Sequence, residues 1–305
     1  MKTLCRLSGC GNLMDYVGLE CKSALHPNKH KMPCSWDLNI YRGCEHGCRY
    51  CYALYSHEYL NDDRFFDRIY YKSNIVKCLE KQLSSKNWKH EAVNIGGVTD
   101  SYQPIEEKLR IMPEILKILI RYKTPAILAT KSDLVLRDID YLRKLSDVAD
   151  IKVSLTITTM DKTLQRSLEP NAAAPDRRIE ALRILREEGI SAGITLMPVI
   201  PYLTDSYENL DSIYNEASKV CVEYIRPNVL YLIGKTRTNF LNFLNTYDHS
   251  LYEKMKNLYR YDFPPQEYLK GFNHKINLLK DKYGIPSWAS LKKSEVHTQT
   301  ALTDF

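Results

Sequence analysis

Three cysteines within one short stretch are the residues of this chain best suited to carry out chemistry. Cys44, Cys48 and Cys51 lie in NIYRGCEHGCRYCY (39–52), at the spacing C-x3-C-x2-C. Thiolates are the usual protein ligands of iron–sulfur clusters, so three of them can each bind one iron of a [4Fe–4S] cube. The fourth iron would then have no protein ligand nearby and would be open to a small molecule.

Two other interpretations of the same cysteines stay open at this point. A tetrahedral zinc site of three cysteines and one histidine would take His46 or His57 as its fourth ligand. The thiols could also be reduced and bind no metal. Four more cysteines precede residue 36, and their spacings match no ligand pattern, so structural thiols are favoured over a second cluster. These are Cys5, Cys10, Cys21 and Cys34.

Composition and charge restrict the class of protein further. The chain has 305 residues, nine cysteines and a formal net charge of +6. It contains no run of about 18 apolar residues and begins without an apolar leader, which predicts a cytoplasmic protein with no membrane span. Its Lys and Arg residues are dispersed among Asp and Glu. A nucleic-acid partner is therefore compatible with the sequence but not favoured.

The elements that must position the cysteines follow from an alternation of short apolar runs with helical patterns. Strands are expected at 36–41, 92–97, 125–130, 151–157, 190–197 and 224–232. Helices are expected at 73–83, 111–122, 136–145, 175–189 and 207–220. Strand then helix, repeated with short connections, predicts an α/β fold with a parallel sheet. Right-handed crossovers would curl it into a partial (β/α)6 barrel of the TIM type, and a doubly wound open sheet is the alternative.

Three regions of the chain are expected from this pattern. Residues 1–35 are expected to be an irregular N-terminal extension, and residues 36–232 the barrel. Residues 233–305 are expected to form a helical extension that covers the mouth of the barrel.

Polar residues follow several of the expected strands. In a parallel barrel, chemistry takes place at the carboxyl ends of the strands. Gly96, Gly97, Thr99 and Asp100 follow the second strand, and Lys131 follows the third. Each has an ordinary structural explanation, such as a tight turn or a cap, but their occurrence at consecutive strand ends favours a functional site.

Most of the chain resembles the radical S-adenosylmethionine (SAM) group that includes spore photoproduct lyase. The resemblance covers roughly residues 36–232. It rests on the cysteine motif with its neighbouring aromatic residue and, in order, on IGGVTDSYQPIEEKLR, TKSDLVLRDIDYL, VSLTITTMDKTLQRSLEPNAAAPDRRIEALRIL and MPVIPYLTD. It implies a partial barrel with SAM across its mouth, chelated by the open iron of the [4Fe–4S] cluster. The positions that it implies for SAM binding are Tyr50, Tyr52, Gly96, Gly97, Thr99, Asp100, Lys131 and Ser154.

The chemistry of these side chains suits such a ligand. The carboxylate of Asp100 suits the methionyl ammonium, and the ammonium of Lys131 suits the methionyl carboxylate. Ser154 can bond the ribose hydroxyls, and Tyr52 offers an aromatic face to the adenine.

The resemblance also implies a mechanism in which the cofactor carries the difficult step. An electron donor such as flavodoxin or ferredoxin reduces the cluster, SAM is cleaved to a 5′-deoxyadenosyl radical, and this radical removes a hydrogen atom from the substrate. No catalytic side chain beyond the cofactor ligands is then required.

The substrate is predicted from a finer resemblance, to queuine lyase. That enzyme cleaves a C–N bond of queuine to give preQ1, a step of queuosine salvage. Tyr102, Gln103 and Glu169 are expected to contact such a base. The alternatives are a DNA photoproduct lyase and a radical SAM enzyme acting on another small molecule or a peptide. Spore photoproduct lyase has a hydrogen-donating cysteine at the position of Gly97, and the missing thiol counts against repair by that route.

Overall fold

The computed structural model describes residues 4–5, 14–28 and 34–288. Its strands are β1 (Leu4–Cys5), β2 (Asp15–Leu19), β3 (Leu25–Pro27), β4 (Trp36–Leu38), β5 (Tyr41–Arg42), β6 (Arg68–Lys72), β7 (Val93–Ile95), β8 (Ala126–Thr130), β9 (Ile151–Thr156), β10 (Ser191–Val199) and β11 (Ile225–Val229). Its α-helices are α1 (Ile75–Leu83), α2 (Glu106–Leu109), α3 (Ile111–Arg121), α4 (Ile139–Val148), α5 (Lys162–Leu168), α6 (Pro175–Glu187), α7 (Tyr207–Lys219), α8 (Gly234–Tyr247), α9 (His249–Leu258) and α10 (Gln266–Tyr283). Two 3₁₀ helices span Tyr52–Leu60 and Asp133–Asp138.

The main sheet has seven strands in the order β11-β10-β9-β8-β7-β4-β3. Every pair from β4 to β11 in this order is parallel, and β3 is antiparallel to β4 at the edge. A doubly wound sheet would reverse its strand order at a switch point, and this sheet does not. The strand order therefore confirms the α/β fold in the arrangement of a partial (β/α)6 barrel. No pairing among the described strands joins β11 to β3 or closes the barrel.

The helices between these strands bury apolar stripes against the sheet. In α1, Ile75, Leu79 and Leu83 recur at helical spacing and are all buried. α3 also buries a face that is formed by apolar side chains at helical spacing. Burying one such side chain contributes about 1.5–3 kcal/mol, so these stripes fix each helix on the sheet and thereby fix the strand ends.

A second, four-stranded sheet in the order β1-β2-β6-β5 was not predicted. The segment before residue 36, expected to be irregular, contributes β2 to this sheet and β3 to the main sheet. The strand expected over 36–41 is also divided. It leaves the main sheet after Leu38, and Tyr41 pairs with Tyr71 of β6 instead. The side chain of Asn39, between the two parts, accepts a hydrogen bond from the Val98 amide at 2.9 Å.

The C-terminal residues 234–283 are largely helical, as expected. The first turns of α8 lie against the cysteine loop, where Thr236 donates to the Cys51 carbonyl at 2.9 Å and Asn239 donates to the Arg49 carbonyl at 2.6 Å. α10 packs instead on α7, and Tyr283 donates to Asp211 there at 3.0 Å. Among the helices that the structure describes, none has the length and apolar character needed to cross a membrane.

Candidate active site

The cysteine loop leaves β5 and is held from several sides. Cys44 and Cys48 are buried, and the Cys44 amide donates to the Phe65 carbonyl at 3.1 Å. Gly43 has φ +83°, and a Cβ there would lie 2.6 Å from the Arg68 carbonyl oxygen. Both its left-handed backbone and this close contact require glycine.

A buried pair of polar side chains fixes the same loop from within. Gln103 accepts from the Glu45 amide at 3.0 Å and donates to the Gly43 carbonyl at 3.2 Å. The Glu45 carboxylate accepts from Tyr16 at 2.8 Å and from the Ile105 amide at 2.7 Å. Gln103, expected to contact substrate, therefore supports the loop. Sequence reasoning missed Glu45, although a charged residue next to a cluster cysteine was an available signal.

The geometry also tests the zinc interpretation of the cysteines. Among the residues that the structure describes, no three His, Cys, Asp or Glu side chains are placed to share one metal ion. His57 is engaged elsewhere, with Nε2 3.1 Å from the Arg68 carbonyl and its ring against Phe65. The three thiols therefore do not converge on a single ion, whereas a cube takes one thiolate at each of three separate irons.

A cavity of about 780 Å³ opens at the carboxyl edge of the main sheet. This volume lies within the range of about 300–1,000 Å³ that is typical of ligand sites. All the predicted cluster and SAM positions line it: Cys44, Cys48, Cys51, Tyr50, Tyr52, Gly96, Gly97, Thr99, Asp100, Lys131 and Ser154. The predicted substrate residues Tyr102, Gln103 and Glu169 do not line it.

Asp100 is the most heavily hydrogen-bonded of the lining residues. One carboxylate oxygen accepts from the Tyr102 amide at 2.9 Å and the Thr130 hydroxyl at 2.7 Å. The other accepts from the Lys131 amide at 2.7 Å and lies 3.0 Å from Nε2 of His46. Burial alone would raise the pKa of Asp100, but His46 and these hydrogen bonds lower it to about 2. Asp100 thus stays ionised and joins the loop after β7 to the loop after β8 and to the cysteine loop.

Of the other predicted positions, Lys131 brings a charge to the cavity, whereas the hydroxyls of Ser154 and Tyr52 bond protein groups. Burial would lower the pKa of the Lys131 ammonium, but the neighbouring Cys48 and Glu169 raise it above its ordinary value. Lys131 is therefore a cation, as binding a carboxylate requires. Ser154 shares a hydrogen bond with the Tyr224 hydroxyl at 2.9 Å, and Tyr52 donates to the Gly97 carbonyl.

A buried network behind Tyr50 includes Glu169, which was predicted to contact substrate. The Tyr50 hydroxyl donates to Glu169, and Glu169 pairs with the guanidinium of Arg178. All three side chains are buried, and Arg178 also donates to the Thr156 carbonyl at 2.7 Å. Glu169 therefore anchors the cysteine loop to α6 and β9 and does not reach the cavity. A buried carboxylate needs such a partner, and sequence periodicity does not indicate which arginine supplies it.

Tyr102 is likewise buried away from the large cavity. Its ring lies 5.9 Å from the guanidinium carbon of Arg137, and it borders a separate recess of about 460 Å³. The tyrosines of the C-terminal helices also stay outside the large cavity. Tyr259, for example, is buried, and its hydroxyl donates to the Leu230 carbonyl at 2.8 Å.

Sequence reasoning missed the lining residues on the last two strands. Thr195 and Met197 of β10 and Arg226 and Asn228 of β11 face the cavity, as does Trp288 near the end of the described chain. The alternation of side chains along a strand was the signal that could have revealed them.

A loop of three separated thiols at the carboxyl edge of a singly wound parallel sheet defines an iron–sulfur enzyme of the α/β barrel class. The family model for the Radical SAM superfamily matches residues 38–212, and the chain belongs to this superfamily. It is 32% identical over 271 residues to an uncharacterized protein of Mycobacterium tuberculosis, with 87% of this chain and 80% of that protein covered. It is 29% identical over 280 residues to an uncharacterized protein of Methanocaldococcus jannaschii, with 88% of this chain and 95% of that protein covered.

Solved structures show the same fold. Spore photoproduct lyase complexed with dinucleoside spore photoproduct superimposes with a TM-score of 0.66 at 13% identity, covering 88% of this chain and 79% of that chain. Streptococcus suis SuiB bound to its precursor peptide SuiA gives a TM-score of 0.53 at 16% identity, covering 82% of this chain and 47% of that chain.

The cofactors of the superfamily are a [4Fe–4S] cluster and SAM, and the residues present fit both. Burial raises the pKa of the Cys44 thiol and raises that of Cys48 to about 12, so the free thiols hold their protons. Iron would displace those protons, since the thiolate is the ligand. The glycine-dependent turn of the loop and the cation at Lys131 complete a site for a cluster with an amino-acid ligand.

Proposed function

We propose that this protein removes a hydrogen atom from a small organic substrate, using SAM and a [4Fe–4S] cluster bound in the cavity. The observation that carries the proposal is the meeting of the three cysteines and every predicted SAM position on one cavity wall. When bound, the reduced cluster and SAM supply a 5′-deoxyadenosyl radical as the hydrogen-abstracting agent.

The residues of the chain bind and orient the cluster and SAM and shield them from water. Cys44, Cys48 and Cys51 would hold the cluster, and Lys131 would bind the methionyl carboxylate. Asp100 shapes the wall between them, because its hydrogen bonds are made to protein groups. The first turns of α8 and the buried side chains behind Cys48 keep water from the inner side of the loop.

For the substrate we propose queuine, cleaved at its C–N bond to give preQ1. The finer sequence resemblance supports this choice. The cavity also offers aromatic faces on which a flat base can stack, from Tyr52, Tyr55, Tyr231 and Trp288.

A DNA photoproduct lyase is the second candidate, because the fold is that of spore photoproduct lyase. The environment of Gly97 argues against it. A Cβ at this position would lie 2.6 Å from Nδ2 of Asn94. The Asn94 side chain, which donates to Asp37 at 2.8 Å, would therefore have to shift before a thiol could occupy the position that the resemblance gives it.

The test is anaerobic incubation of the reconstituted enzyme with SAM, a chemical reductant and queuine, followed by chromatography. Formation of preQ1 together with 5′-deoxyadenosine supports the full proposal. Formation of 5′-deoxyadenosine with queuine intact retains the radical chemistry and rejects the substrate. Failure to cleave SAM, in a preparation that contains iron and sulfide, rejects the chemistry as well. A parallel incubation with dinucleoside spore photoproduct tests the second candidate.

A further inference from the structure

A row of polar side chains crosses the half of the cavity that lies farthest along the sheet from the cysteine loop. Thr195 of β10 is in register with Thr156 of β9 on one side and with Arg226 of β11 on the other. Partners in register on parallel strands project to the same face, and all three of these line the cavity. The predicted SAM positions lie on the cysteine loop and after β7 and β8, and within β9, so β10 and β11 remain for another ligand.

The guanidinium of Arg226 has no hydrogen bond or ion pair with any residue that the structure describes. It is half-buried, and no acidic residue of β10 or β11 lines the cavity with it. The acidic residues that do line the cavity are engaged elsewhere, Asp100 by its hydrogen bonds and Glu58 by Lys235 at 3.5 Å. A partly desolvated cation without a counter-group is unfavourable, so a ligand that supplies acceptors would stabilise this wall.

Asn228 adds a second donor next to Arg226 on the same strand. Its Oδ1 accepts from the Val229 amide at 3.0 Å, which directs the acceptor end of the amide to the backbone. The NH₂ end then remains for a ligand. A planar guanidinium with an adjacent amide donor is suited to oxygen acceptors.

We propose that Arg226, together with Asn228, binds an oxygen acceptor of the substrate and thereby sets which substrates enter this half of the cavity. The inference rests on the proposed function in that it treats this cavity as the substrate chamber. The acceptor is either the ring carbonyl of a base such as queuine or an oxygen of a phosphate group, and both present the same chemistry to the guanidinium.

The test uses the reconstituted holoenzyme with SAM bound, and calorimetric titration with two probes, queuine and inorganic phosphate. The variants are Arg226→Gln, which removes the charge, and Arg226→Lys, which keeps the charge but loses the planar fork. Arg143→Gln is the matched control, because Arg143 is an exposed residue of α4 that pairs with Asp140 and Glu188.

We expect Arg226→Gln to weaken binding of at least one probe about tenfold or more, as loss of a charge-assisted hydrogen bond does. Arg143→Gln should bind both probes like the native enzyme, and SAM affinity should be unchanged in every variant. Arg226→Lys should retain phosphate binding better than queuine binding, because an ammonium still pairs with the phosphate charge whereas a neutral ring carbonyl relies more on the planar fork. The probe that responds to Arg226 identifies the source of the acceptor.

Three results would overturn the inference: equal binding by Arg226→Gln and native enzyme, binding of neither probe by native enzyme, or loss of SAM affinity in Arg226→Gln. Formation of 5′-deoxyadenosine by the native enzyme is measured in the same preparations. It reports on the proposed function separately, so the two failures are distinguishable.

Discussion

At the scale of single residues, the three loop cysteines differ from the other thiols of the chain because they line the cavity and are predicted to bind the cluster. Cys48→Ala should abolish retention of iron and sulfide, because one iron of the cube would lose its only protein ligand. Cys221→Ala is the control, since Cys221 is exposed. Iron and sulfide content after anaerobic reconstitution is the measurement. Full cluster content in Cys48→Ala, or zinc in place of iron in the native protein, would contradict the assignment.

Asp100 makes the stability of the protein depend on pH in a defined range. Its pKa falls from an ordinary 3.8 to about 2 on folding, so the unfolded state takes up a proton at higher pH than the folded state. The stabilisation is therefore complete above the ordinary pKa and is lost as the pH falls through the interval down to about 2. Asp100→Asn should show a flatter decline of unfolding free energy in that interval.

The measurement is urea unfolding of the cluster-free protein at several acidic pH values. Asp140→Asn, a change at an exposed carboxylate on α4, serves as the control and should keep the native slope. Identical slopes for Asp100→Asn and the native protein would show that the hydrogen bonds of Asp100 do not persist in solution.

Glu169 should matter for stability even though it does not reach the cavity. Glu169→Gln removes the charge that compensates Arg178 inside the protein, and breaking a buried pair costs about 3–5 kcal/mol. Glu187→Gln on the surface of α6 removes a carboxylate that pairs with Arg183, and exposed pairs contribute about 0–1 kcal/mol. Urea unfolding of both variants provides the comparison. Equal losses would mean that the buried network is not formed.

At the scale of secondary-structure elements, sequence patterns predicted the regularly alternating strands and helices of the main sheet. They missed the short strands and the buried polar pairs. The segment 125–130 is a short apolar run and the segment 151–157 alternates apolar with polar residues, and β8 and β9 lie within these two segments. β2 and β6 carry polar and aromatic residues of mixed exposure. The pairing of β2 with β6 therefore depends on tertiary contacts, which local sequence patterns do not predict. Glycines and charges at strand ends led to most of the predicted SAM positions, which line the cavity, whereas Arg226 lies within a strand. Buried partnerships such as Gln103 with Gly43 join residues far apart in the chain and were not predictable from spacing.

Helix α8 should contribute to retention of the cluster through the residues that it buries. Phe240 is fully buried in a set that includes Cys48 and Tyr50. Phe240→Ala should destabilise the protein by about 3–5 kcal/mol through the cavity that it leaves, and should loosen the loop that holds the cluster. Leu278→Ala is the control, because Leu278 of α10 is 47% exposed. The rate of iron loss to a chelator should rise in Phe240→Ala and not in Leu278→Ala. Equal rates in the two variants would show that the packing of α8 does not affect retention of the cluster.

At the scale of the whole molecule, the arrangement of charge separates the two proposed substrates. The net charge is +6, but many of the basic residues on the outer helices are paired, such as Arg183 with Glu180 and Lys282 with Asp211. Such pairs place acidic residues among the basic ones, which is unlike a continuous basic stripe that follows a phosphate backbone. A protein that neutralises 6–10 phosphates loses about 10³–10⁵ in affinity between 50 mM and 200 mM salt.

We expect oligonucleotide binding by this protein to be weak and to change by less than about tenfold over that salt range, because few phosphates would be neutralised. Fluorescence anisotropy with a labelled oligothymidine, at several salt concentrations and with SAM present, measures the slope. Queuine binding, followed by calorimetry over the same range, is the control and should be nearly independent of salt, because queuine carries no phosphate. A steep slope for the oligonucleotide would reverse the preference and make a nucleic-acid substrate the better assignment, while leaving the cluster and SAM sites as they are.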